Sequence, residues 1–167
     1  TNTQFGKYQV IQRISSGGMA EVFKARVDGL GGFQRLFAIK RIHPDHADNQ
    51  EYVDMLIEEA KIAGLLSHAN IVQIVDLGSA NDAPFIAMEF VDGPDLGGVI
   101  ARVKERGSIL PIPHAVFVCL ELLKALEYAH NRQIMRGGRP VPLDIIHRDV
   151  CPANLILSLK GEVKLTD

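Results

Sequence analysis

The residues with the clearest chemical potential form one run, Ile146-His147-Arg148-Asp149-Val150-Cys151-Pro152-Ala153-Asn154, with Asp167 following thirteen residues after Asn154. A loop Asp can accept or orient the proton of a hydroxyl nucleophile. An Asn carbonyl oxygen and a second carboxylate are the hard oxygen donors that a magnesium ion takes. Asp149, Asn154 and Asp167 are thus the types that phosphoryl transfer to a hydroxyl uses, in a workable order. An isolated Asp-x4-Asn is also compatible with a turn or capping role, so the rest of the chain must decide.

Two upstream features bear on that choice. Ser15-Ser16-Gly17-Gly18-Met19-Ala20-Glu21-Val22 joins two strand-like runs and is built largely of small residues. Such a loop lets backbone N–H groups approach phosphate oxygens, or it is an ordinary hairpin turn. No G-x-x-x-x-G-K-[ST] occurs, which disfavours a P-loop. Lys40 follows Ala38 and Ile39 in a third apolar run. A lysine there needs a counter-charge, unless it and its partner simply lie on the surface. The next helix offers Glu58 and Glu59. Glu59 is three residues after Leu56 and borders the apolar face, whereas Glu58 falls with Asp54 and Lys61 on the solvated side, so Glu59 is the expected partner.

The elements that must position these residues change character along the chain. Strands are expected over Tyr8–Ile14, Ala20–Val27, Phe33–Ile42, Ile71–Leu77 and Pro84–Val91, with a helix over Gln50–Leu66 and a polar turn at Ser79-Ala80-Asn81-Asp82. After Asp92-Gly93-Pro94 the pattern is helical, over Leu96–Glu105 and Pro113–His130; Val116, Cys119, Leu120 and Leu123 lie on one face of the latter. Asn131–Leu143 reads as a basic Gly/Pro-containing loop, whose Arg136 and Arg139 either dock a partner or solvate the loop, the solvating role being the favoured one. Two short strands, Leu155–Leu157 and Val163–Leu165, close the chain. A β-rich unit followed by a helical one suggests two lobes with a cleft between them.

Composition narrows the function classes. The 167 residues are 47% hydrophobic and 23% charged, enough for one domain or part of one. A formal charge of -2 gives no electrostatic case for nucleic acid. Cys119 and Cys151 are the only cysteines and form no CxxC, so neither a disulfide framework nor a zinc site is expected. No apolar run approaches the ~20 residues of a membrane span, and no cleavable signal opens the chain. Because the first residue is Thr1, the expectation is a piece excised from a longer cytoplasmic protein whose other parts can carry a membrane segment. Composition carries no signal for oligomeric state.

Together these pieces resemble the eukaryotic-type Ser/Thr protein kinases, and within them the bacterial branch. Phe85-Ile86-Ala87-Met88-Glu89-Phe90-Val91-Asp92-Gly93 is similar to that branch's hinge, and Glu127-Tyr128-Ala129-His130 to its helix before the catalytic loop. The resemblance runs from Tyr8 to Asp167. It implies an α+β two-lobe fold, with residues 1–91 as an N-lobe (five-stranded sheet plus helix C) and start of the hinge. Residues 92–167 would be the hinge end and a partial C-lobe. It further implies ATP and Mg²⁺ as cofactors. Ile14, Val22 and Ala38 would roof the adenine and Ile156 floor it; the loop containing Ser15, Gly17, Gly18 and Ala20 would cover the phosphates. Lys40, paired with Glu59, would hold the α/β-phosphates. Met88 would be the gatekeeper, with the backbone of Glu89 to Val91 on the adenine edge. Asp149 would be the catalytic base, Asn154 and Asp167 the metal ligands, and Arg148 the reader of an activation-loop phosphate. His147 would be a packed structural residue.

The departures from the family pattern matter equally. In the glycine loop the first and third glycines are Ser15 and Ala20, which implies weakened nucleotide binding. Cys151 stands where these kinases usually place a Lys, and losing a comparable charged group costs ~10²–10³ in rate. Phe-Gly, an activation loop and the remaining helices are not among these residues, so the 167 residues are expected to be incompetent in isolation. The implied function is γ-phosphoryl transfer from Mg·ATP to a Ser or Thr of a protein substrate. A pseudokinase scaffold and, less favoured by the hinge phrase, a small-molecule kinase stay open as alternatives.

Overall fold

The computed structural model describes residues 3–81 and 83–167. Asp82 of the expected turn lies outside them. Six antiparallel strands form one sheet in the order β1-β2-β3-β4-β6-β5. They are β1 (Gln4–Phe5), β2 (Tyr8–Ser16), β3 (Ala20–Asp28), β4 (Gln34–Ile42), β5 (Ile74–Ala80) and β6 (Ala83–Glu89). The expectation of five strands is therefore one short: β1 has two residues, too few for any periodicity to register.

Strand alternation divides the sheet's residues between two faces. On one, Phe5, Tyr8, Phe23, Phe37 and Phe85 pack with Ala25, Ile39 and Ala87 into an aromatic-rich core. The Tyr8 hydroxyl donates to Asp76 Oδ2 at 3.2 Å. The same face holds Glu21, whose side chain is 5% exposed. Arg41 donates to its Oε2 through Nε (3.1 Å) and Nη2 (2.9 Å), and Arg13 donates to Oε1 (3.1 Å). The Arg41 guanidinium also lies over the rings of Phe5 and Phe23. The opposite face carries Val22, Ala38, Lys40 and Met88, and there α1 (Gln50–Ala63) packs through Leu56 and Ala60. Asn49 caps α1 by accepting the Glu51 N–H. The helix stops at Ala63 rather than continuing to the expected Leu66, because the chain turns at Gly64 and Leu66 joins a different core.

That second core belongs to the other of two compact units. One unit ends at Leu65 and resumes over Gln73–Phe90; the other comprises Leu66–Val72 and Val91–Asp167. The single boundary expected at residue 91 is thus an incomplete division, since seven residues upstream of it side with the later unit. Asn70 shows why. It is 5% exposed, and its Nδ2 donates to the Val163 carbonyl (2.9 Å) and to Glu121 Oε2 (2.8 Å), while its own carbonyl accepts the Leu165 N–H (2.8 Å). The Val72 N–H then bonds the Leu165 carbonyl, and Ile71 bridges Leu165 in parallel. The expected strand beginning at Ile71 is this bridge, and β5 starts three residues later.

The second unit contains α2 (Leu96–Glu105), α3 (Ile112–His130), the hairpin β7 (Gln133–Arg136) and β8 (Arg139–Pro142), and the pair β9 (Leu155–Leu157) and β10 (Val163–Leu165). Two expectations change here. Asn131–Leu143 is a hairpin rather than a loop, turned at Gly137 and Gly138 with φ of +59° and +80°. And α3 buries Val118, Ala125 and Ala129, whereas Val116, Cys119, Leu120 and Leu123 are exposed. The helix is apolar on more than one side, so periodicity finds a stripe without saying which stripe is covered. No helix among the described residues is long and apolar enough to cross a membrane.

The Glu21 cluster makes acid sensitivity testable. Burial alone raises a carboxyl pKa, but the hydrogen bonds from Arg41 and Arg13 outweigh it and hold Glu21 below its ordinary value. The folded state therefore favours the ionised form; this stabilisation is complete above the ordinary carboxylate range and is lost as pH falls through the lowered folded value. Denaturant unfolding across pH 3–7 is expected to show Glu21→Gln less stable at neutral pH by about 1–3 kcal/mol, with a shallower acid decline than wild type.

Candidate functional site

The first unit contributes a loop, a charge pair and a strand end. Ser15 is the penultimate residue of β2, which ends at Ser16; Ala20 opens β3, and Gly17 and Gly18 lie between the strands. The Gly17 N–H bonds the Ala20 carbonyl at 2.9 Å. Neither glycine has a positive φ. A Cβ on Gly17 would meet nothing nearer than the Ala20 carbonyl at 3.7 Å, and one on Gly18 would meet nothing within 4 Å. The turn itself does not demand glycine, so the open backbone is available for close approach by a ligand. Ile14 sits at a register shift between Arg13 and Ser15, a bulge that bends the strand entering this loop, and its side chain is exposed.

Val22 pairs directly with Lys40 across β3 and β4, and Ala38 pairs with Met88 across β4 and β6. These four expected site residues therefore share one patch of one face. The Lys40 Nζ donates to Glu59 Oε1 at 2.8 Å, with the two side chains 12% and 35% exposed. The helical-face argument thus selects the partner that the structure places there; Glu58 is exposed. At the end of β6 the Glu89 N–H donates to the Gln73 carbonyl (2.9 Å), and Glu89 Oε1 accepts the Gln73 N–H (2.9 Å). The Glu89 N–H is therefore paired within the first unit. Gln73 has no motif around it that would reveal this.

In the second unit, Val91 follows the strand end and Ile156 lies half-buried in the middle of β9, opposite Lys164. Asp149 and Asn154 come together on one loop. The Asn154 Nδ2 donates to the Asp149 backbone carbonyl (3.0 Å) and to Asp149 Oδ2 (2.9 Å). Its backbone N–H bonds the Cys151 carbonyl, and its carbonyl accepts the Thr166 N–H (3.0 Å). That last bond brings the residue before Asp167 against Asn154. The Asp149 N–H reaches His147 Nδ1 at 3.4 Å, a positioning contact for His147. Arg148 and Asp167 hold φ of +64° and +62°, conformations that cost non-glycine residues energy and concentrate at functional sites. Cys151 is half-exposed in the loop. His68 caps and packs: its Nδ1 accepts the Asn70 N–H and its ring stacks on Tyr128.

The donor chemistry fits a magnesium ion held jointly with phosphate. Both Asn154 Nδ2 bonds go to Asp149, which turns Oδ1 of the amide away as an acceptor, and Asp167 adds a carboxylate. Among the described residues no group of three His, Cys, Asp or Glu side chains forms a metal site. One carboxylate and one amide oxygen suit Mg²⁺, which keeps other oxygen ligands from substrate phosphates and water.

Comparisons with known proteins bear on the family of the chain. A profile of the family described as Protein kinase domain matches residues 8–167. The chain is 36% identical over 163 residues to the tyrosine-protein kinase MasK of Myxococcus xanthus, covering 98% of the chain and 25% of MasK. It is 34% identical over 162 residues to the serine/threonine-protein kinase PrkC of Bacillus subtilis, covering 97% and 22%. The crystal structure of the Mycobacterium tuberculosis PknI kinase domain superposes with a TM-score of 0.74 at 28% identity, covering 99% of this chain and 59% of that one. The chain spans about a quarter of the length of the curated relatives it matches.

The ion pair supplies a direct test. A double-mutant cycle on Lys40→Met and Glu59→Gln, read by denaturant unfolding, is expected to return about 1 kcal/mol of coupling, with Glu58→Gln uncoupled from Lys40.

Proposed function

The chain belongs to the protein kinase domain family, and on that premise we propose that it provides the nucleotide-binding and catalytic-loop parts of an enzyme that transfers the γ-phosphoryl of Mg·ATP to a Ser or Thr hydroxyl of a protein. The observation that carries the reading is the pair of bonds from Asn154 Nδ2 to Asp149. One amide holds the candidate base in place and would leave its oxygen to hold Mg²⁺, so both tasks are tied to one side chain.

Each unit has its own share of the work. The first supplies the open loop at Gly17 and Gly18, the apolar patch of Val22, Ala38 and Met88, and the Lys40 ammonium held by Glu59. The second supplies Asp149, Asn154 and Asp167. Asp149 accepts the proton of the substrate hydroxyl as its oxygen bonds to phosphorus, and the bond from phosphorus to the departing nucleotide oxygen breaks. Bound Mg·ATP contributes the phosphoryl group and the neutralisation of its charge. Lys40 and the loop N–H groups hold phosphate oxygens. A cytoplasmic setting goes with ATP as donor.

Cys151 favours a second reading, a nucleotide-binding scaffold without transfer. A thiol in this loop brings no positive charge to the reacting phosphate. The decisive measurement is phosphate transfer to protein by the full-length protein that contains this chain. Phosphoserine or phosphothreonine is expected to form, to fall by at least ~10² with Asp149→Asn, and to rise with Cys151→Lys. A wild type that binds ATP but transfers nothing, with transfer appearing only in Cys151→Lys, would replace the enzyme reading with the scaffold. Phosphotyrosine as the main product would overturn the Ser/Thr assignment. Separately, Gly18→Ala is expected to leave the melting temperature unchanged while weakening ATP binding several-fold, since its Cβ meets only open space in the protein.

A further inference from the structure

The β7–β8 hairpin is not used by the function above, and its charge is unusual. From Asn131 to Leu143 the chain has three arginines and no acidic residue, within a chain whose net charge is -2. The hairpin fixes two of those arginines. Its pairs run Gln133–Pro142, Ile134–Val141, Met135–Pro140 and Arg136–Arg139, so the last two guanidinium-bearing residues stand directly opposite each other beside the turn. Positive φ at both Gly137 and Gly138 is what a tight two-residue hairpin turn of primed type requires, and it makes the pairing a preset feature rather than a chance approach.

Like charges directly opposite across a strand pair are destabilising. Arg136 and Arg139 are exposed, and neither has an ion-pair partner among the described residues. Strand alternation puts them on the same face as half-buried Ile134 and Val141. At the base, the Leu143 N–H bonds the Arg132 carbonyl. The distance from base to tip is about 10 Å, three residues of extended chain. An extended peptide of that length meets aliphatic surface first and two guanidinium forks at the end.

We infer that the β7–β8 hairpin is a docking element for an acidic segment of a protein partner, with Arg136 and Arg139 each gripping carboxylates. Arginine binds carboxylate through two parallel N–H···O bonds, and the preset turn lowers the ordering cost of the grip. A carboxylate placed between the two also relieves their mutual repulsion. Pro140 and Pro142 lack N–H donors, so β8 cannot donate to an added strand at those positions; the recognition is by side chains. The hairpin ends five residues before His147 in the chain. The inference concerns binding alone and is decided whether or not transfer occurs.

The test uses the full-length protein at about 0.15 M salt and fluorescence anisotropy of a labelled twelve-residue Asp/Glu-rich peptide, against the same peptide with Asn/Gln in place of the acids. The acidic peptide is expected to bind at least tenfold more tightly. R136A/R139A should weaken it about tenfold and flatten its salt dependence, R136E/R139E should abolish it, and R136K/R139K should recover part of it. Unchanged melting temperatures keep these exposed substitutions interpretable, and the lysine variant serves if the glutamate variant fails to fold. Equal binding of both peptides, binding of the acidic peptide within twofold of wild type by R136A/R139A, or tighter binding of duplex DNA or phosphatidylserine vesicles would each overturn the inference.

Discussion

An ammonium group on the half-buried face of a sheet must find a carboxylate, and the arrangement of the first unit follows from that requirement at Lys40. With its side chain 12% exposed, Lys40 has little water to solvate its charge, and Glu59 takes over that role at 2.8 Å. The pair constrains the rotation of α1, because a helix turned by one residue would present Glu58 or Ala60 instead. It also constrains the face of β4, since a one-residue slip in register would move Lys40 among the phenylalanines. Once Lys40 faces α1, the pleat places Val22, Ala38 and Met88 beside it, and Phe37, Ile39 and Arg41 on the reverse. The buried Glu21 cluster solves the same problem with opposite sign on that reverse face: a carboxylate among aromatic rings, answered by two guanidinium groups.

The second unit meets its constraint through hydrogen bonds rather than ion pairs. Arg148 and Asp167 adopt left-handed backbone conformations, which the surroundings have to hold. Asn154 does so from within the loop, through its side-chain amide and both backbone groups. Asn70 does so from a distance, by anchoring β10 through Val163 and Leu165, the strand that leads into Asp167. Two amides thus position the candidate base and the candidate metal carboxylate, while Cys151 adds neither a charge nor a cap at this point of the loop.

What could be read from sequence divides along physical lines. Contacts with a local signature were legible: Lys40, in its apolar run, against Glu59, chosen by helical face, and Asp149 beside Asn154, by type and spacing. The positions of the long strands and helices were legible too, from hydrophobic period. Three features were not. The face that α3 buries depends on its tertiary partners, and an apolar stripe at Val116, Leu120 and Leu123 looks the same in sequence whether covered or exposed. The β7–β8 hairpin is only four residues per strand with two prolines, so its turn chemistry at Gly137-Gly138 was visible but its pairing was not. Gln73, which occupies the Glu89 N–H, carries no signal, because backbone acceptance depends on where the strand runs and not on side-chain type.

The seven residues Leu66–Val72 have a consequence for how such a chain can be divided and inherited. The polypeptide passes between its two units three times, at residues 65–66, 72–73 and 90–91, so neither unit corresponds to one uninterrupted stretch of gene. A recombination joint placed at residue 91 would transfer the sheet together with Leu66, Asn70, Ile71 and Val72, yet leave behind Val163, Leu165 and Glu121, against which Asn70 is satisfied. The orphaned arm would carry a buried-type amide and three apolar side chains into water. Exchange between relatives at that joint is therefore penalised unless both arm and β10 come from the same parent, and the two units are bound to evolve as one reading frame.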